Sequence, residues 1–277
     1  MQQSQIHKIY DDNFYMAQAS GSYLSAKAIL PQVKELFGEV QSVIDVGCGM
    51  GTWLRAWTEI VPDIKIFGID GNVADSNLYH IPLESYKEVN LTHNASILMQ
   101  EILEKYNASN MGGGGAKPFS LAQSLEVAEH LYEKHASNFI KLLTSLSNII
   151  LFSAAIPYQG GTHHVNEQPP TYWAELFAKE GFVCFDILRE KNWGNENIES
   201  WYKQNILLFT HKNKQEILLN QGFKPVLKPL YLIHPQMWEY KNKEIANLLH
   251  STRHYRKLKR FIAKIPFLKT LYHKLRN

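Results

Sequence analysis

Twelve residues, Ser42 to Trp53 (Ser-Val-Ile-Asp-Val-Gly-Cys-Gly-Met-Gly-Thr-Trp), constrain the fold of this chain more than any others. The first five form an apolar, β-branched run that reads as a buried strand. Gly47, Gly49 and Gly51 follow at alternate positions, and Thr52 onwards reads as the first turns of a helix. Strand, glycine turn and helix N-terminus together let a ligand lie against bare backbone. The spacing narrows the ligand. A dinucleotide site spaces its glycines Gly-x-Gly-x-x-Gly so that a pyrophosphate can sit on the helix N-terminus. Here the pattern is Asp-x-Gly-x-Gly-x-Gly, and the carboxylate of Asp45 repels a pyrophosphate. The loop suits a ligand with a positive charge and an amino group.

A second anchor stands about 20 residues on, where this architecture closes its ribose site with an acid. Ile64 to Ile69 is a strand-like run, and Asp70 at its carboxyl end can accept from both ribose hydroxyls. S-adenosylmethionine, with its sulfonium and α-ammonium groups, meets both demands. The chain resembles the class I S-adenosylmethionine-dependent methyltransferases, whose first motif reads as Asp45 to Gly51 does and whose ribose acid matches Asp70. The resemblance covers roughly residues 10 to 212. It implies an α/β, Rossmann-like, seven-stranded and mostly parallel sheet with helices on both faces, ending in a hairpin-like strand pair. It also implies an enzyme whose cofactor-binding residues are Asp45, Gly47, Gly49, Gly51, Asp70, Asn90 and Ser124. Asn90, near the end of a third strand, can hydrogen-bond an adenine edge. The chain departs from the pattern at Asn90 and Ser120, each of which stands where an Asp is usual.

Length and composition agree with one well-buried α/β core and an appendage: 277 residues, 45% hydrophobic and 20% charged. Two cysteines, Cys48 and Cys184, suggest a reducing compartment and no disulfide framework. There is no N-terminal signal pattern and no apolar run of membrane-spanning length, so a cytoplasmic protein, soluble or peripheral at the inner face of the membrane, is expected. The charge is uneven. Residues 251–277 hold nine Lys or Arg and no acid, leaving 20 basic against 26 acidic residues before them. A mildly acidic body carries a basic tail.

In chain order, Asn13 to Phe37 has helical spacing, with Pro31 a candidate break, and forms an N-terminal cap within residues 1–40. Such a helix either folds across the ligand or simply packs; the sequence leaves both open. Tyr86 to Leu91 reads as the third strand and Ala95 to Tyr106 as a helix. Asn107 to Lys117, with Gly112 to Gly115, reads as a loop that lacks the Lys-Ser/Thr of a phosphate site. Phe119 to Ser124 is the fourth strand. Immediately after it, Glu126, Glu129 and His130 fall on the strand end that faces ligands in a doubly wound sheet. Glu-x-x-Glu-His resembles the metal-binding motif of small-RNA 2′-O-methyltransferases and ubiquinone-pathway O-methyltransferases. It either holds a divalent cation, with oxygen-rich coordination favouring Mg²⁺ or Mn²⁺, or caps a helix.

A helix over His135 to Ser147 and an apolar strand over Asn148 to Phe152 lead to a polar loop, Ser153 to Gln168. Its His164 is the first candidate for a general base, His163 the second, with Glu126 as a third catalytic candidate; His164 also completes a metal set with Glu126, Glu129 and His130. A solvated histidine pair is the plain alternative. Tyr172 to Lys179 reads as a helix. Phe182 to Leu188 and Asn205 to Thr210 read as strands joined by a loop with Trp193, Trp201 and Tyr202. Four runs resemble a bacterial methyltransferase subgroup found with surface-polysaccharide biosynthesis: Ser124 to His130, Gln159 to Thr162, His164 to Gln168 with Tyr172-Trp173, and Trp201 to Asn205. That resemblance implies O-methylation of a sugar, nucleotide-sugar or lipid-linked glycan hydroxyl. The alternatives are a ribose methyltransferase acting on RNA, another small-molecule O-methyltransferase, a nicotinamide enzyme, and a non-catalytic glycan- or membrane-binding protein. The acidic body disfavours nucleic acid.

Residues 213–277 read as an extension. Val226 to Trp238, with Pro229 and Pro235, looks like an extended connector. From Ser251 two apolar stripes at helical spacing (Leu258, Phe261, Ile262, Ile265; Leu268, Leu271, Tyr272, Leu275) flank Pro266, opposite Lys and Arg. Such helices suit an anionic membrane surface, with packing on the core or a second subunit and RNA binding as the competing readings.

Overall fold

The computed structural model describes residues 12–72, 75–109 and 117–262. The Gly112 to Gly115 run and the stripe from Leu268 to Leu275 lie outside them. Two units divide between Leu232 and Ile233.

The first unit is an α/β sandwich. Among the described residues, β1 (Ser42–Val46), β2 (Lys65–Asp70), β3 (Tyr86–Glu88), β4 (Leu121–Leu125), β5 (Ile149–Ser153), β6 (Phe182–Phe185) and β7 (Leu207–His211) form one sheet. Its order is β3-β2-β1-β4-β5-β7-β6. All pairs are parallel except β5 with β7 and β6 with β7, so the hairpin-like end expected from the resemblance is present. The helices are α1 (Asp12–Phe37), α2 (Thr52–Ile60), α3 (Ala95–Ser109), α4 (Ala136–Leu146), α5 (Pro170–Lys179), α6 (Leu188–Asn192), α7 (Ser200–Asn205) and α8 (Glu216–Leu219).

Alternation along each strand sends side chains to two separate cores. Ile44, Phe67, Ile69 and Phe152 pack with α3, α4 and α5, while Val43, Ile66, Leu121 and Leu151 pack with α1 and α2. Both faces are covered, which is why the central strands are almost wholly apolar. Chain order reverses between β1 and β4, and the loops leaving both carboxyl ends lie side by side at that switch point, the place where open α/β sheets bind ligands.

Several boundaries differ from the sequence reading. Pro31 sits inside α1 without splitting it, because Ala26, Ile29, Leu30 and Val33 are fully buried along one face. The third strand stops at Glu88, since Asn90 turns the chain. Phe182 to Leu188 is a strand only to Phe185, as Leu188 opens α6. The expected loop between β6 and β7 instead contains α6 and α7. Residues 213–232 belong with the body: α8 buries Leu218, Val226 N–H donates to Cys184 O (2.8 Å), and Arg189 Nη1 donates to Leu230 O (2.8 Å).

The second unit contains α9 (Pro235–Ile262), a single 28-residue helix. It begins within the stretch read as an extended connector, because Pro235 occupies the first helical position, where its missing N–H has no helical partner to lose.

Candidate active site

The glycine loop is locked by its own hydrogen bonds. Gly47 and Cys48 N–H both donate to Ile69 O (2.8 and 3.1 Å), Gly51 N–H to Cys48 O (2.9 Å), and Gly49 N–H to Asp70 Oδ2 (2.8 Å). These four donors are spent inside the protein, so the loop is no phosphate cradle of the kind free N–H groups make. Left-handed backbone at Gly47 (φ +85°) brings the chain against Val127, whose methyl would lie 2.4 Å from an added Cβ. The loop after β1 and the segment after β4 therefore touch.

Asp70 accepts from Gly49 N–H and, through Oδ1, from Asn72 N–H (2.9 Å). The Gly71 backbone acts on the same carboxylate, which with about four acceptor sites keeps capacity for an added hydroxyl. Burial raises its pKa, and those backbone donors oppose the rise. Asp45 is 3% exposed; its Oδ2 accepts from Gln123 Nε2 (2.9 Å), and Gln123 Oε1 accepts from Trp57 Nε1 (2.9 Å). Burial pushes its pKa up to about 7, against the Gln123 hydrogen bond and with a smaller contribution from Asp70. Asp45 thus lies beneath the loop. Ser124 lies there too, fully buried, with its hydroxyl donating to Val46 O (2.8 Å). Asn90 is exposed, and its Oδ1 accepts from Thr92 N–H and hydroxyl (3.0 and 2.7 Å). The departure at Ser120 is remote from all of these: it bonds Ser42 at the amino ends of β1 and β4.

The residues after β4 and β5 come together as the sequence suggests, with one exception. Ligand atoms of Glu129, His130 and His164 lie within 4.8 Å of one another. Glu126 stands outside this group. Its carboxylate accepts from Asn205 Nδ2 (3.0 and 3.2 Å) and from Gln159 Nε2 (3.0 Å), while Gln204 Nε2 donates to Gln159 Oε1 (3.0 Å). Its backbone is left-handed (φ +58°), a strain that the amides and the bond from its N–H to Ser153 O (3.0 Å) sustain. The four-residue metal set read from sequence is here a three-residue set, with Glu126 held aside by amides.

Glu129 is fully buried, and neither carboxylate oxygen meets a donor in good hydrogen-bond geometry, although the Ala155 backbone and the Glu126 carboxyl lie close enough to act on it. Burial, then the neighbouring charge of Glu126, raise its pKa far above the carboxylate range. His163 Nε2 and Asn166 Nδ2 are likewise buried without partners. Asn166 N–H and Val165 N–H both donate to Glu129 O, so these orphaned groups belong to one centre. Buried polar atoms left unpaired in a native structure call for an explanation, and an ordered water or an ion is one that fits a cluster of them. His130 has its pKa lowered to about 4 by burial and by His164, so its imidazole is neutral near pH 7. Its Nδ1 lies 3.4 Å from His163 O, and His164 Nδ1 lies 2.9 Å from Glu167 Oε1, an arrangement that orients imidazoles for a metal or a proton.

Sequence reasoning missed the Gln159 and Asn205 amides as partners of Glu126, and Gln204 as a partner of Gln159, since only folding brings Glu126 and Asn205, 79 positions apart, together. It also missed Glu167 as the orienter of His164, although their i, i+3 spacing was a local clue. Segments 45–53, 70–72, 124–131 and 153–168 contribute Asp45, Asp70, Glu126, Glu129 and Glu167 and contain no Lys or Arg. Such a site attracts cations and repels phosphates. By contrast, a groove of about 500 Å³ lined by Gln41, Ser42, Asp63 and Lys65 lies at the amino ends of the strands, away from the ligand-binding end.

No family model and no curated protein matches the chain. Solved structures do. The sugar N-methyltransferase KedS8 from a Streptoalloteichus species superposes with a TM-score of 0.51 at 10% identity, over 72% of this chain and 92% of that one. A SAM-dependent methyltransferase from Archaeoglobus fulgidus gives 0.46 at 19% identity, over 73% and 100%. The methyltransferase domain of bacterial CtHen1-C gives 0.45 at 16%, over 69% and 98%. At these identities the likeness to KedS8 shows the fold: a Rossmann-like seven-stranded methyltransferase sheet.

Proposed function

We propose that this chain is an S-adenosylmethionine-dependent O-methyltransferase acting on a hydroxyl of a sugar, nucleotide-sugar or lipid-linked glycan, in surface-polysaccharide biosynthesis. The orphaned Glu129 carboxylate beside two imidazoles, on the segment that abuts the glycine loop, carries the chemical part of this reading. The acceptor class rests on the resemblance of four sequence runs to the polysaccharide-associated subgroup. The absence of Lys and Arg from the four site segments weighs against RNA as acceptor and, within the glycan reading, requires any phosphate of the acceptor to lie outside these segments.

Bound S-adenosylmethionine supplies an electrophilic methyl group on a sulfonium. Asp70 accepts from its ribose hydroxyls, Asp45 and Asp70 favour its positive charge, and Gly47 and Gly49 let it lie on the backbone. The protein's main contribution is alignment of acceptor oxygen, methyl and sulfur, a term of roughly 7–11 kcal/mol in favourable model reactions.

The residues also fit a divalent cation. Glu129, His130 and His164 would hold it, and it would supply Lewis acidity toward the acceptor hydroxyl. With Glu126 engaged by amides, the donor set is one carboxylate and two imidazoles. Two imidazoles are poorer ligands for magnesium than for manganese or iron, so manganese fits better than the oxygen-rich set read from sequence allowed. A second reading rests on the 2.9 Å contact between Glu167 and His164. In it no cation is needed: Glu167 fixes the ring through Nδ1, and Nε2 takes the hydroxyl proton.

Transfer of labelled methyl from S-adenosylmethionine into extract fractions, with and without chelator, tests all of this. Label in a glycan or nucleotide-sugar fraction, lost on chelation and restored best by Mn²⁺, is expected. Label untouched by chelator selects the histidine base. Label confined to RNA overturns the acceptor, and no label overturns the enzyme.

A further inference from the structure

We infer that Tyr158 and Tyr231 form an aromatic seat for the pyranose ring of the acceptor at the rim of the Glu129–His130–His164 centre. The inference rests on the glycan reading above and names residues that bind its acceptor.

Tyr158 lies in the loop after β5 and is 90% exposed, with a left-handed backbone (φ +69°). A bulky residue is strained there, by about 1 kcal/mol or more. What holds it is Glu167. Tyr158 N–H donates to Glu167 Oε2 (2.8 Å) and Gly160 N–H to Glu167 Oε1 (2.6 Å), the same oxygen that faces His164 Nδ1. One carboxylate therefore fixes both the imidazole and the turn that presents the ring. His164 in turn lies against Gly161, where an added Cβ would fall 2.3 Å from Nε2.

Tyr231 arrives from the other end of the unit. Its hydroxyl donates to Pro157 O (2.9 Å), the carbonyl just before Tyr158, and it is 47% exposed. Partial burial, then the nearby charge of Glu167, raise the pKa of its phenol. Its place is secured by a buried ion pair. Arg189, 1% exposed and paired with Asp186, donates to Leu230 O (2.8 Å). The guanidinium anchors the backbone just before Tyr231, and the hydroxyl bond to Pro157 O anchors the far end of its ring.

The chemistry selects the ligand. Aromatic faces beside carboxylate, imidazole and amide groups suit a ring with an apolar C–H face and hydroxyls at its edge. A pyranose has that shape. Residues 153–168 offer no Lys or Arg to a phosphate.

The test is saturation-transfer NMR on the full chain loaded with S-adenosylhomocysteine. The probes are methyl glycosides of hexoses and 6-deoxyhexoses, with uridine and adenosine in parallel. Saturation of ring C–H protons is expected, falling at least fivefold in Tyr158→Ala, weakened in Tyr231→Ala and retained in Tyr158→Trp, with unchanged melting temperatures. Equal glycoside signals in wild type and Tyr158→Ala, no glycoside signal at all, or a Tyr158-dependent signal from the nucleosides alone would each overturn the seat. Calorimetry of S-adenosylmethionine on the same samples separates the two readings. Its failure removes the methyltransferase proposal, whereas loss of glycoside binding in Tyr158→Ala is read independently.

Discussion

Asp45 shows how a single residue trades stability for a ligand. Burial takes its pKa from 3.8 to about 7, so the folded protein binds a proton that the unfolded chain has lost. The sign follows: stability is fullest below about pH 4 and declines as pH climbs to about 7. Asp45→Asn keeps an oxygen to accept from Gln123 and removes the buried charge. Thermal melts should show this variant more stable than wild type by on the order of 4 kcal/mol at pH 8, with the gap closing toward pH 4. On the proposed function its affinity for S-adenosylmethionine should fall about tenfold, since the negative charge beneath the loop, which would favour a cationic ligand, is gone. Equal melting curves at pH 8 would mean that the fold leaves the Asp45 carboxyl near its ordinary pKa. At Glu167 the trade is orientation. Glu167→Gln replaces a carboxylate that holds His164 and two backbone N–H groups with an uncharged amide. Turnover should drop roughly 10–100-fold with cofactor affinity intact. Turnover within twofold of wild type would remove Glu167 from the orienting role.

Among the elements, β1 and its loop were the most legible part of the chain, because local chemistry dictates them. Ser42 to Val46 is β-branched and fully buried, and Gly47 and Gly51 adopt the left-handed backbone that glycine spacing advertises. Asp70 at the end of β2 was legible for the same reason. The segment after β4 was legible only in part. Glu126, Glu129 and His130 follow one another in sequence, yet which of them faces the centre depends on Asn205 and Gln159, brought in from α7 and the loop after β5. No periodicity encodes that choice. Ser124 illustrates the same limit, since only the pairing of β4 with β1 shows its hydroxyl turned to Val46 O. Contact between the two loops yields a prediction. In Gly47→Ala the new methyl meets Val127, and φ +85° is strained for alanine. Stability should fall by about 1–3 kcal/mol. Because Val127 sits between Glu126 and Glu129, the same change should weaken both cofactor binding and Mn²⁺ binding, the latter read by electron paramagnetic resonance. Loss of cofactor affinity with Mn²⁺ binding untouched would mean that the two loops are not coupled.

At the scale of the whole molecule, a site-bearing unit is followed by a helix that exposes apolar side chains over its length. In α9, Trp238, Ile245, Leu248, Leu249 and Tyr255 are each at least half exposed and recur at helical spacing. No acid follows Glu244 in the sequence, and five Lys or Arg fall between residues 245 and 262. Among the described residues no helix is long and apolar enough to cross a membrane. An apolar stripe with neighbouring cations fits an anionic lipid surface, where each Lys or Arg near the surface adds about 1 kcal/mol. We therefore expect the full chain to float with vesicles containing about a third phosphatidylserine, and to release as salt shortens the Debye length to about 3 Å at 1 M. Vesicles of phosphatidylcholine alone should not retain it, and a chain ending at Leu232 should stay in solution. If the full chain stays in solution and light scattering shows a dimer that the shortened chain cannot form, the stripe is a subunit contact instead. Flotation by the shortened chain would place membrane binding elsewhere on the body.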